Sequence, residues 1–450
     1  MSAVALSGII DWHELAGWST FTIELVTIPI FSAVAGLITN WTGVWMLFAL
    51  VKFAGFRVPG LAAIYPWFPR RVQILPIFAA GGRFGFQGFI PARSEKMASM
   101  VVDKAISRIG GPSDFFRQLE PAAIANQFAS IIASDLRSTV DAVIQHAYPD
   151  LLDDLPPRVR EVVYARVAEE LPELANRAFN EIGEHVDELL NVKTMIIECL
   201  AARPELLKDV VHGIGAPELR FMVRSGLLGF PFGILLALYL HVHHSIPVVG
   251  VLPNWLVILC GAAMIGVTVN VIAVRVVFTP AVAKPWYLCP WRQARFARRQ
   301  EAAATDFGHA IAHQVITMPV IVGHLIDGPN GDKTKKLLNR VLAEEIDRIL
   351  GRMKPLVSVA VGARRMKAIR RGSTSTAIAV VPELATDPEF NRVQAQKLDL
   401  LCAQKLRELP PEDFVELLYC AVEQDAWLLY LHGAVLGVAV GCVHLLIFGA

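Results

Sequence analysis

Gly36-Leu37-Ile38-Thr39-Asn40-Trp41-Thr42-Gly43-Val44-Trp45-Met46-Leu47-Phe48 closes a long apolar run that starts near Phe21. A second stretch, Gly266-Val267-Thr268-Val269-Asn270-Val271-Ile272-Ala273-Val274-Arg275-Val276-Val277-Phe278, answers it. Gly36, Asn40, Val44 and Phe48 fall on Gly266, Asn270, Val274 and Phe278 without a gap. Steps of four keep each set on one slowly drifting stripe of a helix. An uncharged amide at the same register of two apolar helices predicts an internal duplication.

The chain has 450 residues, 54% hydrophobic and 18% charged, with mean hydropathy +0.46. Ordinary soluble domains carry about 25% charge, so this composition predicts a membrane protein with substantial polar parts. A net charge of +1 gives no basic body to attract phosphates, so no nucleic-acid partner is expected. The six cysteines are scattered, with no paired spacing, and read as small buried hydrophobes. No Lys or Arg precedes Lys52, so the first apolar run lacks the basic leader of a signal peptide and is expected to stay as a span.

Four stretches are long and apolar enough to be spans: residues 21–50, 225–242, 248–278 and 427–448. Glycines spaced by four, Gly433, Gly437 and Gly441, predict a close helix-packing seam. Lys52, Arg57, Arg70, Arg71, Arg83, Arg93 and Lys96 follow the first span, and Lys284, Arg292, Arg295, Arg298 and Arg299 follow the third. The tail, the connection between the second and third spans, and the C-terminus have none. The positive-inside rule then puts polar regions 51–220 and 279–425 in the cytoplasm and both termini outside.

Beyond the spans, Arg93, Glu95 and Ala98 match Arg299, Glu301 and Ala304, and Pro172-Glu173-Leu174-Ala175 recurs as Pro382-Glu383-Leu384-Ala385. Pro204-Glu205 recurs as Pro411-Glu412, Glu218 as Asp425 and Gly226 as Gly433. Their order and near-constant offset predict two parallel tandem copies, each reading span, helical cytoplasmic domain, span. The fold class expected is thus an all-α membrane protein with four transmembrane helices. Three-four spacing of Ile124, Phe128, Ile131 and Ile132, and of Leu337, Leu338, Val341 and Leu342, predicts amphipathic helices in the polar regions. No strand pattern of useful length appears. The glycine-rich, apolar stretch 81–90 is expected to dip into the membrane or lie on it.

Gly36 to Phe48, with its Gly-x-x-Thr-Asn-Trp-x-x-x-x-Met-Leu-Phe pattern, and Gly88 to Ala98, reading Gly-Phe-Ile-Pro-x-Arg-x-Glu-x-x-Ala, resemble the signatures of domain-of-unknown-function family 445. So does the ending, Pro410 to Phe414 followed by Trp427 and Gly433 to Gly441. The resemblance covers nearly the whole chain and marks Pro91, Arg93 and Glu95 as motif residues, with Arg299 and Glu301 in the second copy. It implies a bacterial inner (plasma) membrane protein and brings no established activity. The second copy departs from the pattern, lacking the Gly-x-Ile-Pro before Arg299 and carrying Val269 where Thr39 precedes the amide.

The residues that carry chemistry are few. Asn40 and Asn270, beside Gly36 and Gly266, either bond amide to amide across the copies or line a polar path for a lipid headgroup or solute. The Arg–Glu pairs of the motif suit a fold-holding ion pair. Arg292, Arg295, Arg298 and Arg299, interleaved with aromatic residues, suit an anionic lipid surface. Asp306, His309 and His313 share one helix face and have the spacing of metal ligands, although an ordinary polar face has it too. No nucleophile, phosphate-loop or paired metal–carboxylate motif appears, so neither an enzyme nor a cofactor is expected. The reading expected is a scaffold or envelope-organisation protein presenting helical cytoplasmic domains to a protein partner. The alternative is a transporter or lipid-handling protein.

Overall fold

The computed structural model describes residues 17–68, 76–79, 82–109, 111–147, 156–245, 251–361, 385–423 and 426–449. About 81% of the described residues are helical, which leaves room there for little but short strands. Numbered in chain order, the helices of ten residues or more begin with α1 (Thr20–Phe48), α2 (Ser94–Ile109), α3 (Pro121–Ser134), α4 (Leu136–Ala147) and α5 (Pro157–Glu184). Next come α6 (Val192–Ala202), α7 (Pro204–Ser225), α8 (Gly229–Val242), α9 (Asn254–Phe278) and α10 (Gln300–Ala310). The last are α11 (Met318–Asp327), α12 (Gly331–Val361), α13 (Pro388–Glu408), α14 (Pro411–Glu423) and α15 (Ala426–Phe448).

Among the described residues, four helices are long and apolar enough to cross a membrane: Thr20–Phe48, Pro204–Val242, Asn254–Phe278 and Ala426–Phe448. The second is longer than residues 225–242. It takes in all of α7, tightens to a 3-10 turn at Gly226–Leu228 and continues as α8. The sequence hides this because Lys208, Asp209, Glu218, Arg220 and Arg224 break the apolar run without breaking the helix. A further apolar pair, Gln300–Val315 with Met318–Asp327, passes the same test only as a helix bent by 50°. Its last α10 turn opens into a π-helix at Ile311–Val315.

The chain divides into two compact units, each discontinuous in sequence. The first comprises Met1–Val101, Arg203–Ala303 and Leu409–Ala450; the second comprises Val102–Ala202 and Ala304–Glu408. In the first, α1 packs along α7 and α8, and α9 packs along α15. Ile28, Ala237, Leu240, Val257, Ile258 and Leu445 form a buried apolar cluster there. Ser19 starts α1, its Oγ accepting from the Thr22 N–H at 3.2 Å.

Three short strands follow α1, in the order β1 (Ala54–Arg57), β3 (Arg83–Phe86), β2 (Phe78–Ala79), all antiparallel. The stretch expected to dip into the membrane therefore supplies a central strand; Gly81 lies outside the described residues. Gly55 faces Gly85 in this sheet. A Cβ on Gly85 would overlap the Ala54 carbonyl, and one on Gly55 would press on Gly85. Glycines chosen for backbone approach replace the alternation that announces a strand, which is why periodicity missed it.

The second unit is built from both polar regions at once. α5 packs on α3 and on α12. Phe128 meets Phe179 at 5.3 Å and Phe390 at 5.0 Å, both edge-on. Glu345, 1% exposed, is held by Arg177 and by Arg348 at 2.9 Å. Periodicity correctly reports that a helix face is buried in each region; it cannot report against what. The expected domain limits 51–220 and 279–425 cut across this arrangement.

Candidate site at the helix crossings

Each apolar helix pair crosses where its first helix carries the quoted motif. In the first pair, a Cβ on Gly36 would overlap the Gly226 carbonyl oxygen, and one on Gly226 would overlap Gly36. In the second, a Cβ on Gly266 would overlap the Gly433 carbonyl oxygen. Only glycine permits backbones this close. Gly229 and Gly233 continue the first seam against Ser32 and Pro29, while Gly437 and Gly441 continue the second against Ala262 and Leu259. The displacement carrying Gly36 to Gly266 also carries Ser32 to Ala262 and Pro29 to Leu259.

Four residues past each glycine, the amide turns onto the partner helix. Asn40 Nδ2 donates to the Met222 carbonyl at 2.6 Å and to Ser225 Oγ at 3.1 Å. Asn270 Nδ2 donates to the Leu429 carbonyl at 2.6 Å. The two asparagines are each 6% exposed, so these bonds offset desolvation that would otherwise be lost in full. The Met222 carbonyl is available because the helix tightens just beyond it: the Gly226 N–H goes to Val223 and Arg224 instead. The expected amide-to-amide bond is therefore replaced by two amide-to-carbonyl bonds, one per pair. Both asparagines do border one narrow crevice, with Thr39, Gly43, Met222 and Leu429.

Two histidines join the pairs along the α1–α15 seam. His432 Nε2 lies 2.9 Å from Thr42 Oγ1, and Thr42 Oγ1 in turn donates to the Ile38 carbonyl at 2.7 Å. His444 Nε2 lies 3.0 Å from Thr27 Oγ1. His444 is 4% exposed and its Nδ1 is buried with no hydrogen-bond partner. That ring borders a narrow, mainly apolar crevice between the pairs, walled by Ala35, Gly36, Leu236, Gly266 and Gly437. Sequence reading passed over both histidines, although an ionisable residue inside a span is a signal in itself.

The motif arginine that follows α9, Arg299, is half-buried and clamps a buried carboxylate. Arg299 Nε donates to Glu218 Oε1 at 3.1 Å, and its Nη2 donates to Glu218 Oε2 at 2.9 Å and the Ile214 carbonyl at 2.5 Å. Glu218 is 2% exposed. This fork-to-carboxylate geometry is the strong form of the pair. The sequence match to Glu218, Asp425, lies outside the described residues. Pro91 is buried, Arg93 half-buried and Glu95 exposed at the start of α2; Glu301 is exposed.

The basic cluster is divided by its contacts. Arg299 is committed to Glu218, and Arg295 lies over the Phe221 ring at 4.4 Å. Arg292 and Arg298 are exposed, as are Trp286, Tyr287 and Leu288 beside them. His243, just past α8, is buried, its ring between the Leu240 carbonyl at 2.8 Å and the Leu252 carbonyl at 3.3 Å.

Of the proposed metal-type face, His309 and His313 come together, their ring centroids 4.3 Å apart, but Asp306 does not join them. Asp399, from α13, does: its Oδ2 lies 3.2 Å from His309 Nδ1 and 3.9 Å from His313 Nε2. No spacing rule could have found Asp399, which is distant in sequence. His324 is buried and points its Nδ1 at Glu198, 3.5 Å away.

Comparison of the chain with protein-family models, with characterised proteins and with solved structures finds no match. The geometry alone therefore carries the functional argument.

Proposed function

We propose that the protein is a multi-pass scaffold of a bacterial plasma membrane, related to domain-of-unknown-function family 445. In this reading it is a tandem duplication, with parallel copies, termini outside and the helical unit connected on the cytoplasmic side. The observation that carries the scaffold reading is the use made of the buried amides. Asn40 and Asn270 are spent on backbone carbonyls, where a conduit would leave them free to meet a solute. The duplication is supported by the matching displacements. Gly36, Ser32 and Pro29 move to Gly266, Ala262 and Leu259 together, and Met222 moves with Gly226 to Leu429 and Gly433. Gly229 and Gly233 move to Gly437 and Gly441 with one residue more, and the discrepancy falls at the 3-10 turn Gly226–Leu228. The orientation rests on the Lys and Arg distribution.

The second reading, lipid handling, is favoured by one observation: the crevice between the pairs is nearly all apolar and is bordered by His444, whose Nδ1 has no hydrogen-bond partner. Mass spectrometry of the protein in native lipid discs separates the two, with a membrane protein of similar size as control. The scaffold reading expects a stoichiometric protein partner and only bulk lipid. A stoichiometric lipid that disappears in His444→Phe, with the protein still folded, would sink it in favour of the crevice.

A further inference from the structure

The helical unit contains a cluster that the scaffold reading does not use. We propose that His309, His313 and Asp399 bind one divalent transition-metal ion of the zinc class. The argument starts from spacing. Ligand atoms on a tetrahedral ion with bonds of about 2.1 Å sit about 3.4 Å apart. Asp399 Oδ2 lies 3.2 Å and 3.9 Å from the two imidazole nitrogens, on either side of that value. All three ligand atoms lie within 4.8 Å of one another.

Two backbone features hold the cluster in place. Gly308 lets α13 come alongside: a Cβ there would stand 2.8 Å from the Asp399 carbonyl oxygen and 2.9 Å from the Ala403 nitrogen. The π-helix Ile311–Val315 contains His313 and resets its direction relative to His309. Arg407 Nη2 donates to Thr305 Oγ1 at 2.7 Å, pinning the same two helices further along.

Charge favours an ion over a proton. One carboxylate oxygen faces two imidazoles whose rings are 4.3 Å apart. A single proton satisfies one of the two contacts, and two protons place like charges side by side. One divalent ion satisfies all three donors at once. Two imidazoles and one carboxylate suit zinc, cobalt or nickel; calcium and magnesium prefer all-oxygen sites. Three protein ligands leave a position for water on the solvent side. The role that follows is a staple between α10 with its π turn and α13, because the ligands come from both.

The test uses the full chain in detergent, stripped with chelator and titrated with zinc chloride by calorimetry at pH 7.5. One equivalent is expected to bind, and His313→Gln and Asp399→Asn should each weaken binding at least tenfold. Cobalt(II) chloride should give the visible bands of a tetrahedral site in the wild type and lose them in both variants. Magnesium chloride should give no heat. Circular dichroism identifies a variant that fails to fold; His309→Gln, at an exposed position, then replaces it. Absence of a zinc equivalent in the wild type would overturn the proposal. So would binding that survives all three substitutions, which would place the ion elsewhere, for example at Glu181, Glu184 and His185.

Discussion

The two apolar helix pairs use the same devices and part ways beside the carbonyl that receives the amide. In both, a glycine crossing brings the backbones together and an asparagine one turn on reaches a carbonyl of the partner helix. In the first pair that carbonyl has Ser225 beside it, and Ser225 Oγ both accepts from Asn40 and donates to Met222 at 2.7 Å. The residue in the corresponding place of the second pair is His432, which turns away to Thr42 of α1. The first pair therefore closes its polar network on itself, and the second spends the same position on its neighbour. The α1–α15 seam thus carries two imidazole–hydroxyl contacts, while α8 and α9 meet through apolar groups such as Leu236 against Gly261. Two similar halves can be built from one crossing and still be held together by only one of them.

The glycines offer the strongest way to break the comparison. Gly36→Val and Gly266→Val each push a side chain into a backbone carbonyl. Each is expected to cost about 1–3 kcal/mol or more, as overpacking typically does. Thermal unfolding in detergent, followed by intrinsic fluorescence, should show equal losses. A tolerant Gly266 would mean that the second crossing is looser than its contacts indicate.

The amides come next and should be unequal. Asn40→Leu removes bonds to a carbonyl and a hydroxyl, and Asn270→Leu removes one bond to a carbonyl. Hydrogen bonds between membrane helices average about 0.6 kcal/mol and reach about 1.7, so Asn40→Leu is expected near the upper figure and Asn270→Leu near the mean. Equal losses would show that Ser225 contributes nothing to the first pair.

His432→Phe tests the seam and should cost about 0.6 kcal/mol. Combined with Thr42→Val, the loss should be less than additive, because both changes remove one contact. Full additivity in that double-mutant cycle would remove the seam's polar link from the account.

The smallest effect is a control in the other unit. Burial, with the nearby Asp399 charge second, pushes the Cys402 thiol from its ordinary 9.0 up to about 12. The folded form keeps its proton where the unfolded form loses it. Stability from this group is therefore complete below pH 9 and falls as pH rises towards 12. Ellman's reagent at pH 8 should leave Cys402 unmodified in the wild type and in every membrane-unit variant above. Modification in any of them would mean that damage spreads beyond the helix pairs.

The four long apolar helices were legible because apolar length is a one-dimensional property, and the amide register was legible because helical periodicity is. The length of the second span was not, since charged residues such as Glu218 are buried there by a partner, Arg299, that lies distant in sequence. The small sheet was hidden by glycines that serve backbone contact, and the partners of Asn40 and Asn270 by the same locality. His309 and His313 showed themselves by spacing on one helix; Asp399 arrives from another, and nothing in its own neighbourhood marks it.

The way the helical unit is stitched together has a consequence for its birth on the ribosome. Val102–Ala202 emerges first, yet Phe128 meets Phe390, and Arg177 meets Glu345, only when Ala304–Glu408 has been made. At about 5–20 residues per second, the interval for the roughly two hundred intervening residues is on the order of ten seconds or more. Throughout it, α3 has α5 against it but lacks Phe390, while the apolar helices Pro204–Val242 and Asn254–Phe278 are made between the halves. A nascent chain stopped within that window carries an apolar core short of one wall and an Arg177 without its carboxylate, the marks by which holding chaperones and proteases choose their clients.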